Sequence, residues 1–305
     1  MVRGKSPRFL PKHIKCPPGS DLIMDKKIKA LGLINYPTSS HFNTTGVGPI
    51  DLTIGNAISK IYHKFDYWFY IYTAFLNKYA ATHYVKHNFG AKTIMNVWSP
   101  TTLSDQAGFA YLWIANDPAD ALNVVQAGWG VSSTTAFFKQ LQQALNLLDC
   151  KGFVQVHHQI SLGMVLNQIS IYNGTQSDIE IAILRDGEWW LKLFNQFIGY
   201  WPQKLFYYMY GGANVVVWGG LAASPTNELS PPMGSGHFPK DGHQNKSTYF
   251  KQTQIWDNVN FVDPEADKLV LSATRPDCYG SETAPDDAAP NAIDLFYGGS
   301  GQCNL

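Results

Sequence analysis

Between Asp178 and Leu184 the chain alternates strictly, with Ile179, Ile181 and Ile183 separated by Glu180 and Ala182. A period of two built from β-branched residues fits a strand with one buried face and fits no helix. Asp186-Gly187 follows, a pair suited to a tight turn because glycine reaches positive φ at little cost. Residues 188–194 then supply a partner strand, so the stretch is predicted as an antiparallel hairpin. An isolated hairpin is marginal in water, so its apolar face requires more sheet beside it and a second layer beneath.

Other short β-rich runs, at 93–98, 110–114, 153–157 and 168–172, are divided by Gly, Pro, Asn or Asp. Val215-Val216-Val217-Trp218-Gly219-Gly220 reads as a buried strand whose glycines allow another group to approach the backbone closely. Two stretches keep helical spacing instead. One is 202–210, with Pro202 at a first helical position and Leu205, Phe206 and Met209 on one face. The other is 134–148, where Phe137, Phe138, Leu141, Leu145 and Leu148 follow a Ser/Thr cluster suited to capping. A chain of 305 residues with 45% hydrophobic content can fill a sizeable core, and a 14% aromatic share suits sheet faces. The predicted class is all-β: an antiparallel β-sandwich of two face-to-face sheets with one or two short helices.

Lys+Arg and Asp+Glu both total 23, which gives no electrostatic case for nucleic acid or for an anionic membrane as partner. The uncharged run 67–76 is about half the length a membrane span needs. No span is predicted there; a helix or strand packed on the domain, or an inserted segment, is expected instead. There is no His-Glu-x-x-His, and His157 and His158, adjacent on a strand, would point to opposite faces. No nucleophile elbow or phosphate loop occurs either, so neither a metal nor a cofactor is expected. Met1-Val2-Arg3-Gly4-Lys5 is basic without an apolar signal-peptide core behind it. Asn43, Asn173 and Asn245 each begin an Asn-x-Ser/Thr triplet that permits glycosylation.

Five segments recur in a recognisable order: Ala127-Gly128-Trp129, Gly199-Tyr200-Trp201-Pro202, Trp218-Gly219-Gly220, Met233-Gly234-Ser235-Gly236-His237-Phe238-Pro239 and Phe296-Tyr297-Gly298-Gly299. The series resembles the neprosin family, secreted plant proteins of which some are glutamic endopeptidases that cut after proline. The resemblance covers roughly 90–305. It implies the β-sandwich already predicted, with 84–305 as the domain and 1–83 as an irregular N-terminal segment containing a propeptide remnant and an aromatic insertion. It further implies a Cys278–Cys303 disulfide, an unpaired Cys150, an extracellular location and proline-containing peptides as partners.

Peptide hydrolysis by such a protein needs one carboxylate to take a proton from water and a second acid or amide to polarise the carbonyl. In the family one glutamate immediately precedes Ala-Gly-Trp and the other follows Trp-Gly-Gly. In this chain those positions hold Gln126 and Leu221, so no catalytic residue is intact. Glutamine retains hydrogen-bonding capacity but accepts no proton, and leucine has no polar atom. The expectation is a catalytically inactive pseudo-peptidase. One alternative is an active acid endopeptidase using a displaced acid such as Glu228, with Glu180 and Glu188 as further candidates; another is a non-functional product of a decayed or misassembled gene. Trp129, Tyr200, Trp218, Ser235, Gly236 and His237 are the candidate substrate-cleft residues, since aromatic faces stack on proline rings and a Gly-Ser-Gly turn offers backbone donors. The competing reading of the tryptophans is plain core, and of His237 a structural histidine.

Overall fold

The computed structural model describes residues 75–103, 106–116, 123–132, 138–139, 153–160, 166–225, 228–285 and 293–304. In chain order the strands are β1 (Phe75–Tyr84), β2 (Gly90–Asn96), β3 (Ala107–Asn116), β4 (Asn123–Ser132) and β5 (Phe138–Lys139). Next come β6 (Val154–Gln155), β7 (Asp178–Asp186), β8 (Glu188–Leu193), β9 (Gln196–Trp201) and β10 (Val215–Pro225). The last are β11 (Thr248–Trp256), β12 (Phe261–Val262), β13 (Leu269–Ala273), β14 (Gly280–Pro285) and β15 (Ile293–Gly298). Six form one sheet in the order β13-β1-β10-β3-β4-β5. The second runs β14-β15-β11-β2-β7-β8-β9-β6, with β12 paired to β11. Every pairing in both sheets is antiparallel.

The predicted hairpin is β7–β8, with Gly187 at φ 70° in its turn. Ile179, Ile181 and Ile183 point into the space between the sheets together with Trp189 and Leu191. From the other sheet Ala110, Leu112, Ile114, Ala127, Trp129, Val216 and Trp218 meet them. The layers are also pinned by a hydrogen bond, as the indole N–H of Trp129 in β4 donates to the Asn96 carbonyl in β2 at 2.9 Å.

Several expectations change. The six-stranded sheet takes in β1 over its full ten residues, between β13 and β10, so the sandwich includes residues N-terminal of 84. Residues 168–172 form no strand. Two of their N–H groups make loop bonds instead, Ser170 N–H to Val97 O at 2.7 Å and Ile171 N–H to Thr175 O at 2.9 Å. The helix expected over 202–210 is two single 3-10 turns, Gln203–Leu205 and Tyr207–Met209, divided at Phe206 by φ −123°, ψ 73°. Of 134–148 only β5 is described, and it pairs with Gly130 and Val131 as a strand. Cys16, Cys150, Asn43 and the run before Phe75 lie outside the described residues.

Candidate functional site

Strand alternation sorts the six-stranded sheet into two faces. Val216, Trp218, Gly220 and Ala222 of β10 look inward, so Val217, Gly219 and Leu221 look outward. Register carries that outward set across the sheet. His83 pairs with Val217, Val217 with Trp113, and Trp113 with Gln126. Four residues further along, Tyr79 pairs with Leu221, Leu221 with Phe109, and Phe109 with Gly130. Gln126 and Leu221 therefore share one face but not one row. They lie two strands apart and four residues offset, about 16 Å between Cα atoms on ideal ladder spacing. Both are buried, with 3% and 5% exposure.

The ground between them is aromatic. Phe109, Tyr111 and Trp113 occupy every second position of β3 and stack in sequence, at 5.5 Å and 18° and then at 5.8 Å and 27°. The flanking strands place glycine opposite two of these rings, Gly130 beside Phe109 and Gly128 and Gly219 on either side of Tyr111. A Cβ at Gly130 would stand 2.4 Å from the Phe109 ring, so the ladder lies flat only because that position has no side chain. Sequence reasoning passed over this ladder, although the alternation Phe109, Tyr111, Trp113 against Ala110, Leu112, Ile114 is visible in the chain.

His83 is the second residue the sequence did not disclose. It is 1% exposed, and its Nε2 lies 3.2 Å from the Ser272 hydroxyl. Burial disfavours the imidazolium and takes its pKa from 6.5 down to about 3, so the ring is neutral over most of the acid range. Among the described residues of this face, from β13 across to β4, there is no carboxylate.

The expected cleft residues are dispersed. Trp129 and Trp218, each 1% exposed, fill the sandwich interior. Tyr200 lies on the outer surface of the nine-stranded sheet, 4.7 Å from the Trp190 ring. Ser235, Gly236 and His237 form a partly exposed loop that follows the Met233–Gly299 bridge. There the Ser235 N–H donates to Thr248 Oγ1 at 2.7 Å, and the His237 ring stacks on Tyr172 at 4.0 Å.

The alternative acids are dispersed as well. Glu180 lines a shallow groove with Lys92 and Lys192 on the outer surface of the nine-stranded sheet, across the sandwich from Gln126. A Glu188 carboxylate oxygen accepts the Gln203 backbone N–H. Glu228 follows the end of β10 at Pro225, whereas Gln126 is level with Val217. That offset is eight residues, about 26 Å of strand, so Glu228 and Gln126 form no dyad.

Cys278 and Cys303 form the expected disulfide, with Cα atoms 6.2 Å apart. Among the described residues the one His/Cys/Asp/Glu cluster close enough to hold a metal is Asp277 with those two cysteines, and their sulfurs are already spent on each other. No described helix is long and apolar enough to cross a membrane.

Residues 104–300 match the model of the Neprosin family. Among solved structures the chain is similar to scytalido-glutamic peptidase with a transition state analog inhibitor. That likeness has 11% identity and a TM-score of 0.36, over 72% of this chain and 98% of the other.

Proposed function

Because this chain belongs to the Neprosin family, we propose that it is a catalytically silent member, one that holds proline-containing peptides without hydrolysing them. One observation carries the reading: the sheet face bearing both family acid positions has an amide at one, a hydrocarbon at the other and no carboxylate among its described residues. Gln126 can orient but not deprotonate a water, and His83, buried and held neutral, is separated from Gln126 by Val217 and Trp113. Loss of general acid–base assistance alone is worth about a hundred- to ten-thousand-fold in rate. With both partners replaced, turnover by this route falls to background.

Affinity, by contrast, needs no acid. Trp113 is the partly exposed end of the aromatic ladder and sits directly across from Gln126. A proline ring stacked there would bring its carbonyl within reach of the carboxamide, a contact that serves binding as well as it once could serve catalysis. Of the ladder only Trp113 is partly exposed, with Phe109 and Tyr111 buried beneath at 7% and 3%, so Trp113 replaces Trp129 and Trp218 as the peptide contact. The disulfide supports an extracellular setting, since such bonds persist in oxidising compartments.

The test combines two measurements on the purified protein. Incubated with a proline-rich peptide between about pH 3 and pH 7, where glutamic chemistry would operate, it should release no fragments. The same peptide should change the tryptophan fluorescence, and Trp113→Ala should weaken that titration about tenfold, as for loss of one stacked ring. Fragment release that disappears in Glu228→Gln would replace this reading with an active enzyme using a displaced acid. Unaltered binding by Trp113→Ala would remove the ladder from the site.

A further inference from the structure

Two of the Asn-x-Ser/Thr triplets, widely separated in sequence, touch in the fold. The Asn173 backbone N–H donates to the Asn245 carbonyl at 2.7 Å, and both residues take left-handed turns at φ 57° and 61°. They are not equivalent. At Asn245 the hydroxyl of Ser247 is buried and donates to the carbonyls of Phe238 at 3.2 Å and Gly242 at 2.5 Å. At Asn173 both the asparagine and Thr175 are exposed, on a loop tip closed by the Gly174 N–H to Ile171 O bond at 2.9 Å. A second observation concerns the same loop. Ile169, Ile171 and Tyr172 are 39%, 60% and 44% exposed, an apolar strip beside the acceptor.

We propose that Asn173 carries an N-linked glycan that stands over Ile171 and Tyr172. In the transfer, the Asn173 carboxamide nitrogen attacks the anomeric carbon of a lipid-pyrophosphate-linked oligosaccharide. The new N–C bond forms as the C–O bond to pyrophosphate breaks; one amide proton is lost and the lipid pyrophosphate leaves. The host transferase reads the Thr175 hydroxyl, and the fold keeps that hydroxyl and the acceptor on the surface afterwards. The proposal requires passage through a secretory compartment, which the Cys278–Cys303 disulfide supports without reference to peptide binding. The glycan would also roof the edge where Tyr172 stacks on His237, keeping peptides away from the Met233–His237 loop.

The experiment translates the full chain behind a heterologous signal sequence in the presence of microsomal membranes. Protease-protected product should show an endoglycosidase-sensitive mobility shift, reduced by one glycan in Asn173→Gln and equally in Thr175→Ala. The threonine variant leaves the left-handed residue untouched, and transfer to the nascent chain scores each variant whether or not it later folds. Asn245→Gln should leave the Asn173 glycan in place. A protected product with no shift, or a shift unchanged by Asn173→Gln and Thr175→Ala, would overturn the assignment.

Discussion

Replacing His83 by glutamine should flatten the acid limb of the stability curve. The wild-type ring is 1% exposed, and burial takes its pKa from 6.5 to about 3. Because the folded value lies below the unfolded one, the unfolded chain takes up a proton first as pH falls. Stability is therefore complete above about pH 6.5 and drains as pH drops towards 3, at about 1.4 kcal/mol per pH unit at 25 °C. Across that window the loss is about 3–5 kcal/mol, a large part of the 5–15 kcal/mol that holds a typical domain. Glutamine keeps a side-chain amide near the position of Nε2, and so a bond to the Ser272 hydroxyl, but does not titrate. Urea denaturation at steps from about pH 7.5 to pH 3.5 should give wild-type and His83→Gln midpoints that converge near neutrality and separate progressively below pH 6. Carboxylates elsewhere titrate in both proteins and cancel in the difference. Parallel curves would refute the reasoning, because they would mean that His83 is solvated and the face bearing Gln126 is open. The same ring bears on function, since a sheet face that weakens itself below neutrality is poorly suited to acid hydrolysis.

Leu221→Glu should show the opposite slope. The new carboxyl is buried beside Tyr79 and Phe109, so its pKa rises and the variant loses stability as pH climbs through about 4.3, by about 1.4 kcal/mol for each unit of that rise. Matched urea midpoints for the variant and wild type at all pH values would show position 221 to be exposed. Gly220→Ala should cost about 1–3 kcal/mol without changing the fold, because the added methyl would start 2.2 Å from the Tyr297 ring. A thermal midpoint equal to that of wild type would mean the two sheets separate more readily there than their packing implies.

Legibility in the sequence followed exposure. The β7–β8 hairpin was readable because one of its faces is apolar and the other mixed, which yields a clean period of two. Strand β1 was not, and the reason is in its burial: Tyr79, Ala80, Ala81, Thr82, His83 and Tyr84 are all buried, on both faces of the sheet. A strand covered on both sides loses the alternation by which strands are recognised. Its sequence then reads as one more part of an aromatic N-terminal oddity, and His83 was overlooked with it. Residues 168–172 erred the other way. Their β-favouring composition was genuine, but Ile171 and Tyr172 face solvent on a loop that makes bonds of its own at Ser170 and Ile171. Gln126 and Leu221 could be located along the chain from the motifs beside them. Their separation across β3 was beyond reach, because register between distant strands is set by the whole sheet.

The signature segments have a packing explanation. Trp129 spans the sandwich to bond Asn96, and Trp218 fills its centre. A Cβ at Gly128 would stand 1.8 Å from the Ala110 carbonyl, and one at Gly219 would stand 2.5 Å from the Ala81 methyl. Each of these residues is demanded by strand pairing or by the closure of one sheet on the other, whatever the protein does. Gln126 and Leu221 are buried as well, but on the outward face of the sheet rather than between the two layers. Ala-Gly-Trp and Trp-Gly-Gly are thus statements about architecture, and acid chemistry would rest on the single residue beside each. On the reading proposed above, two substitutions remove that chemistry while every residue that makes the fold recognisable remains under the same physical demand.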